Sequence, residues 1–455
     1  MSGPLWRRSA ADLVAAYAAG ETTPDAILAA VLGRLDAVNG AINAVIALDR
    51  EGATAAAAAS TARWRAGRAL GPMDGVPWTI KDNILVKDLP AVWGSPLFAD
   101  HVPTRDESPV ARLRAAGAII LGKTNVPEFT VQGFTDNAVF GPTRNPWNLA
   151  TTPGGSSGGA VAAVASGIGP LALCTDGGGS IRRPAAHAGL IGFKPSTGMI
   201  ERSHGFPEIL HDFEVAGPIG RTVADIDSAM AILGGASWPA SAPEAGPKRI
   251  LHIRSFAGAP VDPEISASVA AAAARFSELG HQVETIDAFD LAEFANDVWP
   301  VISRAGVAWL LDQYPDHAGR VGQAALDMAA GVRDASATDY LGALIAIGQA
   351  KQRFAELFEG HDLMLTPAIA ALAWPIGATH PPTIDGQPVG PRGHAVFTVF
   401  ANALGIPAVT LPSAPAAAGS RIGFQLCGRR GSDRALLAVA AAYEAISPPL
   451  PWPEI

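Results

Sequence analysis

The chain has 455 residues, 49% hydrophobic and 16% charged, with a formal net charge of −9. Charge below the usual level of about 25%, with abundant apolar residues, excludes a disordered chain; an acidic balance without clustered Lys and Arg argues against a nucleic-acid or anionic-membrane surface. Gly (49) and Pro (37) are numerous but punctuate apolar segments without a repeat, which excludes collagen-like and low-complexity chains.

In chain order, residues 11–66 read as Ala-rich helices: DLVAAYAAG stops on Gly20, and TPDAILAAVLGRLDAV starts with Thr23 as N-cap and Pro24 at N1. GVPWTIKDNILV is rich in β-branched residues and ends a buried run at Lys81, and ESPVARLRAAGAIILGKTN reads as helix then strand, with Ser108 as cap and Gly117 as stop. SGGAVAAVASG is a short helix, LALCT and LIGFK are strands, and RTVADIDSAMAILGG is a helix with a capping box of Thr222 and Asp225. After the surface connector ASWPASAPEAGPK, the segments ILHIRS, DPEISASVAAAAARFSELG and HQVETI make a β-α-β unit. Residues 288–360 look helical and contain Trp299 and Trp309; DLMLTPA, IPAVTLP and GFQLCG are short strands, and a last helix starts at Asp433. The alternation predicts an α/β fold. One domain over 1–455 is expected, with N-terminal helices at 1–66, a core at 74–235 and the helical 288–360 region as a pocket wall or lid.

Asn145 to Thr175 is a run of 31 positions without a charge. Pro and Gly cut it into pieces far shorter than the ~20 apolar residues of a membrane span, so burial within the protein is expected. The opening MSGPLWRRSAADL has no apolar core of signal-peptide length, and Cys174 and Cys427 support neither a disulfide framework nor a CxxC pair, so a cytoplasmic, reducing location is expected.

Two pattern matches fail on physical grounds. Gly117-Ala-Ile-Ile-Leu-Gly122-Lys123-Thr124 fits the P-loop formula, but AIIL is a strand rather than a phosphate-wrapping turn, and Asn125-Val126-Pro127 prevents a helix from starting at the lysine. Gly155-Ser156-Ser157-Gly158-Gly159 fits the nucleophile-elbow formula around Ser157, but turn residues Thr151-Thr152-Pro153-Gly154 precede it where a strand is required. With ten His present, a Ser-His-Asp site stays a formal alternative.

A third constellation makes chemical sense as a unit: Lys81, the GGSSGG run at 154–159, and Asp176-Gly177-Gly178-Gly179-Ser180-Ile181-Arg182. Alone, each has an ordinary reading as a strand end, a linker or cap, and a turn. A hydrolytic serine, however, needs a base, oxyanion donors and a backbone that gathers them. The glycines before Ser180 offer unobstructed amides. Lys81 serves as base only when neutral; moving its pKa from about 10.4 to near 7 takes roughly 4 kcal/mol of bias against the ammonium, which burial beside the uncharged stretch would supply.

These segments resemble the amidase signature family of serine amide hydrolases. The resemblance rests on GVPWTIKDN, PGGSSGG and TDGGGSIRRPA, with AGAIILGKTNVPEF and GFTDNAVFGPTRNPWN between them, and on the 24-residue spacing of Ser156 and Ser180. It implies a mixed central β-sheet covered by helices on both faces. It implies Ser180 as nucleophile, Ser156 as the bridging serine after a cis Gly155-Ser156 peptide, and Lys81 as base. Gly177, Gly178 and Gly179 with the Ser180 amide would form the oxyanion hole, and the Thr130 carbonyl would accept the substrate amide N–H. Asp176 and Arg182 would pair to hold the loop; Ser157 would join the relay or, preferably, cap the following helix. Arg183 would bind a substrate carboxylate or, slightly preferred, pair structurally. Gly177 departs from the family, where a Thr or aliphatic side chain is common.

The resemblance implies cleavage of carboxylic amide C–N bonds with no metal or organic cofactor, and esters, anilides and carbamates are further candidates. The expected partner is a small-molecule amide, without nucleic acid or membrane, and a homodimer is a candidate assembly. The alternatives are the amidase subunit of a tRNA-dependent amidotransferase and a catalytically silent binding protein. Phe129, Phe134, Phe206, Ile209, Trp299, Trp309, Trp374 and Phe400 are candidates for the pocket lining, about half of them expected to be mere packing.

Overall fold

The computed structural model describes residues 3–241, 246–289, 291 and 294–455. Its first part runs α1 (Ala10–Ala18), α2 (Pro24–Ile42), β1 (Val45–Leu48), α3 (Arg50–Arg65), β2 (Pro77–Lys81), α4 (Ser108–Ala115) and β3 (Ile119–Thr124). Next come α5 (Gly158–Ser166), β4 (Leu171–Asp176), α6 (Arg182–Ala188), β5 (Ile191–Lys194), β6 (Val215–Gly220) and α7 (Val223–Leu233). The chain continues through β7 (Arg249–Phe256), α8 (Pro263–Glu278), β8 (Gln282–Phe289), α9 (Trp299–Asp312), α10 (Gln323–Ala330), α11 (Ala337–Gly360) and β9 (Leu363–Pro367). A small hairpin of β10 (Thr383–Ile384) and β11 (Gln387–Pro388) precedes α12 (Val399–Ala403), β12 (Ala408–Pro412), β13 (Gly423–Cys427) and α13 (Asp433–Ala445). Part of the expected connector, residues 242–245, and residues 290, 292 and 293 of the 288–360 segment lie outside the described residues.

Local signals set most helix starts. The Thr23 hydroxyl accepts the Ala26 N–H at 3.3 Å with Pro24 at N1 of α2. Two expected caps differ. Glu107 is the N-cap of α4, so Ser108 falls one residue inside and donates its hydroxyl to the Glu201 carbonyl at 2.9 Å. Thr222 caps α7 through the Asp225 N–H at 3.1 Å, but the Asp225 carboxylate does not close the box; it accepts the Ala11 N–H of α1 at 3.0 Å. An unpaired amide in the first turn of another helix outcompetes the local one.

Among the described residues eleven strands form one sheet, in the order β1-β3-β2-β4-β6-β5-β12-β13-β9-β7-β8. It is mixed: β3, β2 and β4 run parallel, as do β9, β7 and β8, while the strands between are antiparallel. β7, α8 and β8 are the expected β-α-β unit. Helices cover both faces. Trp78, Ile80, Leu171 and Leu173 pack with α4, α7, α8 and α13, whereas Ala172 and Cys174 of the same sheet face α5 and α6. The period-2 alternation of β2 therefore turns Lys81 toward the α5 side.

Residues 152–175 are all buried, including every residue of α5, which explains the uncharged run, although 147–151 reach the surface. A helix apolar on every side belongs inside a large core, and among the described residues no helix is long and apolar enough to cross a membrane. The P-loop-like segment is β3, where buried Lys123 pairs with Asp82 at 3.1 Å.

Candidate active site

The parallel strands β2 and β4 end side by side, with Ile80 in register with Leu173. Lys81 closes β2, Thr175 and Asp176 close β4, and the loop after β4 carries Gly177 to Ser180. Sites of open α/β sheets form at such carboxyl ends. The GGSSGG segment enters from the start of α5, and the Ser157 N–H donates to the Ser180 carbonyl at 3.2 Å, joining the two serine loops. The Gly155-Ser156 peptide is cis. Gly155 is required by close approach: a Cβ there would lie 2.5 Å from the Phe134 carbonyl oxygen.

Lys81 Nζ donates to Ser156 Oγ at 2.8 Å, to the Thr175 carbonyl at 2.9 Å and to Thr175 Oγ1 at 3.0 Å. All three partners are neutral, and the side chain has no contact with water. Burial pushes the Lys81 ammonium down from its ordinary value to about 8, against the pull of Cys174, Glu214 and Asp176. Desolvation alone does not single it out. Lys194 is also buried and pushed down to about 7 by burial, but among the described residues its Nζ hydrogen-bonds only the Pro195 carbonyl. The contact with Ser156 distinguishes Lys81.

Ser156 is fully buried, whereas Ser180 keeps 7% of its surface, which suits a relay group and a group that meets substrate respectively. The Ser157 hydroxyl does not cap α5; it donates to the Thr175 carbonyl at 3.4 Å, beside Lys81. Among the described residues no histidine hydrogen-bonds to Ser156, Ser157 or Ser180, so the Ser-His-Asp alternative has no geometric basis.

Asp176 organises the serine loop. Its carboxylate accepts the N–H groups of Gly179 at 2.6 Å and Ile181 at 3.1 Å, and Arg182 Nε and Nη2 at 3.0 Å each. Burial alone would raise this carboxyl; the Arg182 charge, with hydrogen bonds from Arg182 and Asn402, outweighs it and holds it far below the usual range. The Gly179 amide, expected among the oxyanion donors, is thus engaged by Asp176. Among the described residues, the N–H groups of Gly177, Gly178 and Ser180 have no partner within the protein. Gly179 has φ +109, and a Cβ there would sit 2.2 Å from Thr398 Oγ1, so only glycine fits. Asp176→Asn is expected to cost about 3–5 kcal/mol, because it leaves the Arg182 guanidinium buried without its counter-charge; denaturant unfolding against wild type measures it.

Thr130 and Phe129 both adopt left-handed backbone, φ 58 and 51. The Thr130 hydroxyl donates to the Phe129 carbonyl at 2.6 Å and accepts Trp93 Nε1–H at 3.1 Å, which fixes the peptide, but it makes no hydrogen bond to the serines or Lys81. Arg183 is buried, and its Nη1 donates to the Gly178 carbonyl at 3.0 Å. Of the candidate pocket residues, Trp309 is 49% exposed, and Phe400 packs between Phe256 and Phe354 with centroids 5.5 Å away on each side. Trp299 meets the serine loop: a Cβ on Gly178 would lie 3.0 Å from its ring.

Sequence reasoning missed several supports. Asn83 donates to Thr175 Oγ1 at 3.0 Å, Asn402 donates to the Asp176 carbonyl at 2.8 Å and to its carboxylate at 2.9 Å, and Gln425 Oε1 accepts Arg182 Nη1 at 3.0 Å. The available signal was a polar side chain inside an apolar run, as in VFANALG and GFQLCG. A cavity of about 610 Å³ lined by Trp147, Arg221, Arg421 and Trp452 contains none of Lys81, Ser156 and Ser180.

A mixed sheet covered on both faces thus carries a buried lysine on one of two serines and a glycine-rich turn before the other, an arrangement suited to amide hydrolysis. Comparison with known proteins agrees. The family described as Amidase matches residues 26–437, and the chain belongs to this amidase signature family. It is 34% identical to an acylamidase of Rhodococcus erythropolis over 97% of this chain and 95% of that one. It is 33% identical to a glutamyl-tRNA(Gln) amidotransferase subunit of Moorella thermoacetica over 93% of each. The solved structure of a bacterial aryl acylamidase of the same family superposes with a TM-score of 0.89 at 29% identity, covering 98% of this chain and 97% of that one. The 6-aminohexanoate cyclic dimer hydrolase superposes at 0.85 and 27%, covering 100% and 99%. The protein is an enzyme that hydrolyses amide C–N bonds.

Proposed function

We propose that hydrolysis proceeds through an acyl-enzyme on Ser180, with Ser156 and Lys81 as the proton relay. The carrying observation is the 2.8 Å contact between Lys81 Nζ and Ser156 Oγ, made by a buried lysine whose hydrogen-bond partners are all neutral. Ser180 Oγ attacks the amide carbon; its proton passes to Ser156 Oγ while the Ser156 proton passes to neutral Lys81. The oxyanion is held by the N–H groups of Gly177, Gly178 and Ser180, with Gly179 shaping the turn. Collapse breaks the C–N bond, and the leaving amine takes a proton back through Ser156. Water then attacks the ester by the same relay, releasing acid and restoring Ser180. The scheme uses no metal or organic cofactor. Thr130 contributes its carbonyl to the substrate amide N–H, Arg183 borders the substrate, and helices α9–α11 wall the pocket through Trp299.

We assign the enzyme a small-molecule amide substrate, with aryl and alkyl amides first and esters and carbamates as further candidates. A cytoplasmic location without a nucleic-acid partner is supported by two free, buried cysteines and a net charge of −9; a homodimer is the candidate assembly. The amidotransferase relatives support a second reading, ammonia delivery to a partner. Purified protein given simple anilides and primary amides, without ATP, tRNA or partner, is expected to turn over many times. Absence of sustained turnover, with hydrolysis appearing only on addition of a partner, would favour the second reading.

The relay also sets a pH profile. Lys81, pushed down to about 8, accepts a proton only when neutral, so activity grows as pH rises through that value. kcat/KM is expected to increase about fivefold between pH 7 and pH 8 and about twofold more above it. A profile flat from pH 6.5 to 9 would remove Lys81 as the titrating base.

A further inference from the structure

The cavity of about 610 Å³ lies at the end of the sheet away from the serines. Ile191 lines it, and Ile191 and Leu171 both pair with Gly220, whereas Asp176 closes β4 on the catalytic side. The rise of β4 from Leu171 to Asp176 puts about 17 Å between the two ends. Helices α1, α8 and α13 and the C-terminal tail wall the cavity, and Arg7, Arg221, Arg275 and Arg421 line it. Elsewhere arginines meet acids: Arg63 has Asp74, Arg182 has Asp176, Arg202 has Glu107 and Glu214, and Arg434 has Asp227. Among the described residues none of the four cavity arginines forms an ion pair. Among those residues the side chains of Arg7, Arg275 and Arg421 also make no hydrogen bond, and Arg421 Nε is buried without a partner. Arg221 donates to the Leu450 and Pro451 carbonyls of the tail, at 3.1 and 2.9 Å.

Aromatic rings set the guanidinium planes. Arg421 stacks 3.6 Å over Trp147, with its stem on Gly189 at the end of α6, where a Cβ would meet Arg421 Cδ at 3.1 Å. Trp147 is itself fixed, donating Nε1–H to the Ala188 carbonyl at 2.9 Å. Arg221 stacks 3.6 Å over Trp452, and Arg7 lies 5.7 Å from the same ring. The two acids on the wall are engaged at helix starts: Asp12 closes the α1 capping box with Ser9, and both Glu444 oxygens accept the Val223 N–H at 3.1 Å. Burial, with the charges of Arg7 and Arg421, holds Arg221 down to about 10, so it stays cationic at neutral pH. The negative end of α6 accounts for one arginine beside Gly189, not for three more. The rest of the wall is apolar, with Leu411, Tyr443 and residues 448–452. An inorganic anion would leave most of this volume empty, and a neutral apolar molecule would leave the cations without a counter-charge. An organic anion satisfies both, since guanidinium forks donate paired hydrogen bonds to carboxylate or phosphate while the apolar wall takes its body.

We infer that this cavity is a second binding site, separate from the serine centre, for an organic anion: a carboxylate or phosphate carried on an apolar body. Calorimetry on the full chain compares octanoate and octyl phosphate with octanamide, which lacks the charge, and with inorganic phosphate, which lacks the body. At least one octyl anion is expected to bind about 30-fold more tightly than octanamide and than inorganic phosphate. Either octyl anion meets the inference, and the tighter of the two identifies the head group. Arg421→Gln is expected to lower the ratio of octyl anion to octanamide about tenfold, and Arg421→Lys to restore part of it. As a ratio within one protein it is insensitive to general damage. A preference for the anion that survives Arg421→Gln unchanged places the ligand in the serine centre and overturns the inference. Failure of both octyl anions to bind, or affinity equal to that of octanamide, overturns it as well. Inorganic phosphate binding as tightly as the octyl anions would make the arginines a simple anion patch and refute the apolar-bodied ligand.

Discussion

Ser180→Ala is expected to reduce kcat/KM on any amide by a factor on the order of 10⁶, the scale seen when a nucleophile is removed from a serine hydrolase. Ser180 lies in the loop two residues before α6 with its carbonyl tied to the Ser157 N–H, so the backbone is held without the hydroxyl. The loss should therefore fall on chemistry rather than on folding or binding. A fluorophosphonate probe should label wild type at Ser180 and leave the variant unmodified, with unchanged unfolding in denaturant. An adduct on Ser156 or Ser157, or a variant that keeps more than about a thousandth of the activity, would reassign the nucleophile.

Lys81→Ala is expected to cost about 10²–10⁴ at neutral pH, the range of a general base, and clearly less at alkaline pH, where hydroxide can take the Ser156 proton. The direction follows from the environment of Lys81. Its hydrogen-bond partners Ser156 and Thr175 are neutral, and burial favours the neutral amine over the pull of Cys174, Glu214 and Asp176. Lys81→Arg should be as inactive as the alanine variant, since a guanidinium stays protonated at every usable pH. The relay also predicts strong non-additivity: Lys81→Ala combined with Ser156→Ala should be little worse than either alone, because both break one proton path. Equal activity of Lys81→Ala and wild type at neutral pH would end the base assignment.

The elements and the candidate catalytic groups were legible for different reasons. Strands such as LALCT and helices such as the one after Thr23 follow from alternation, caps and breakers, which are local. Lys81, Ser156 and Ser180 stood out because a base, a pair of serines and a run of glycines have a joint meaning that none has alone. Caps failed where a distant group offered a better partner, as when Asp225 turned to α1. Asn402, Gln425, Thr398 and Trp299, which brace the serine loop, lie more than a hundred residues from it in sequence. A polar side chain in an apolar run marks Asn402 and Gln425 but not their partners, because the contacts exist only after β12 and β13 enter the sheet beside β5.

The sequence by itself determined an ordered α/β protein, its core segments and the buried uncharged run, since composition and periodicity are properties of neighbouring residues, and its resemblance to the amidase signature family pointed to Lys81, Ser156 and Ser180 as the proposed relay. The tertiary structure decided the rest. It placed Lys81 at 2.8 Å from Ser156 by pairing β2 with β4, and it engaged the Gly179 amide with Asp176. Among the described residues it also left Arg183 and Arg392 without an acid while giving one to Arg182. Desolvation and charge pairing depend on what surrounds a side chain in space, and that is fixed only when residues remote in the chain are packed together.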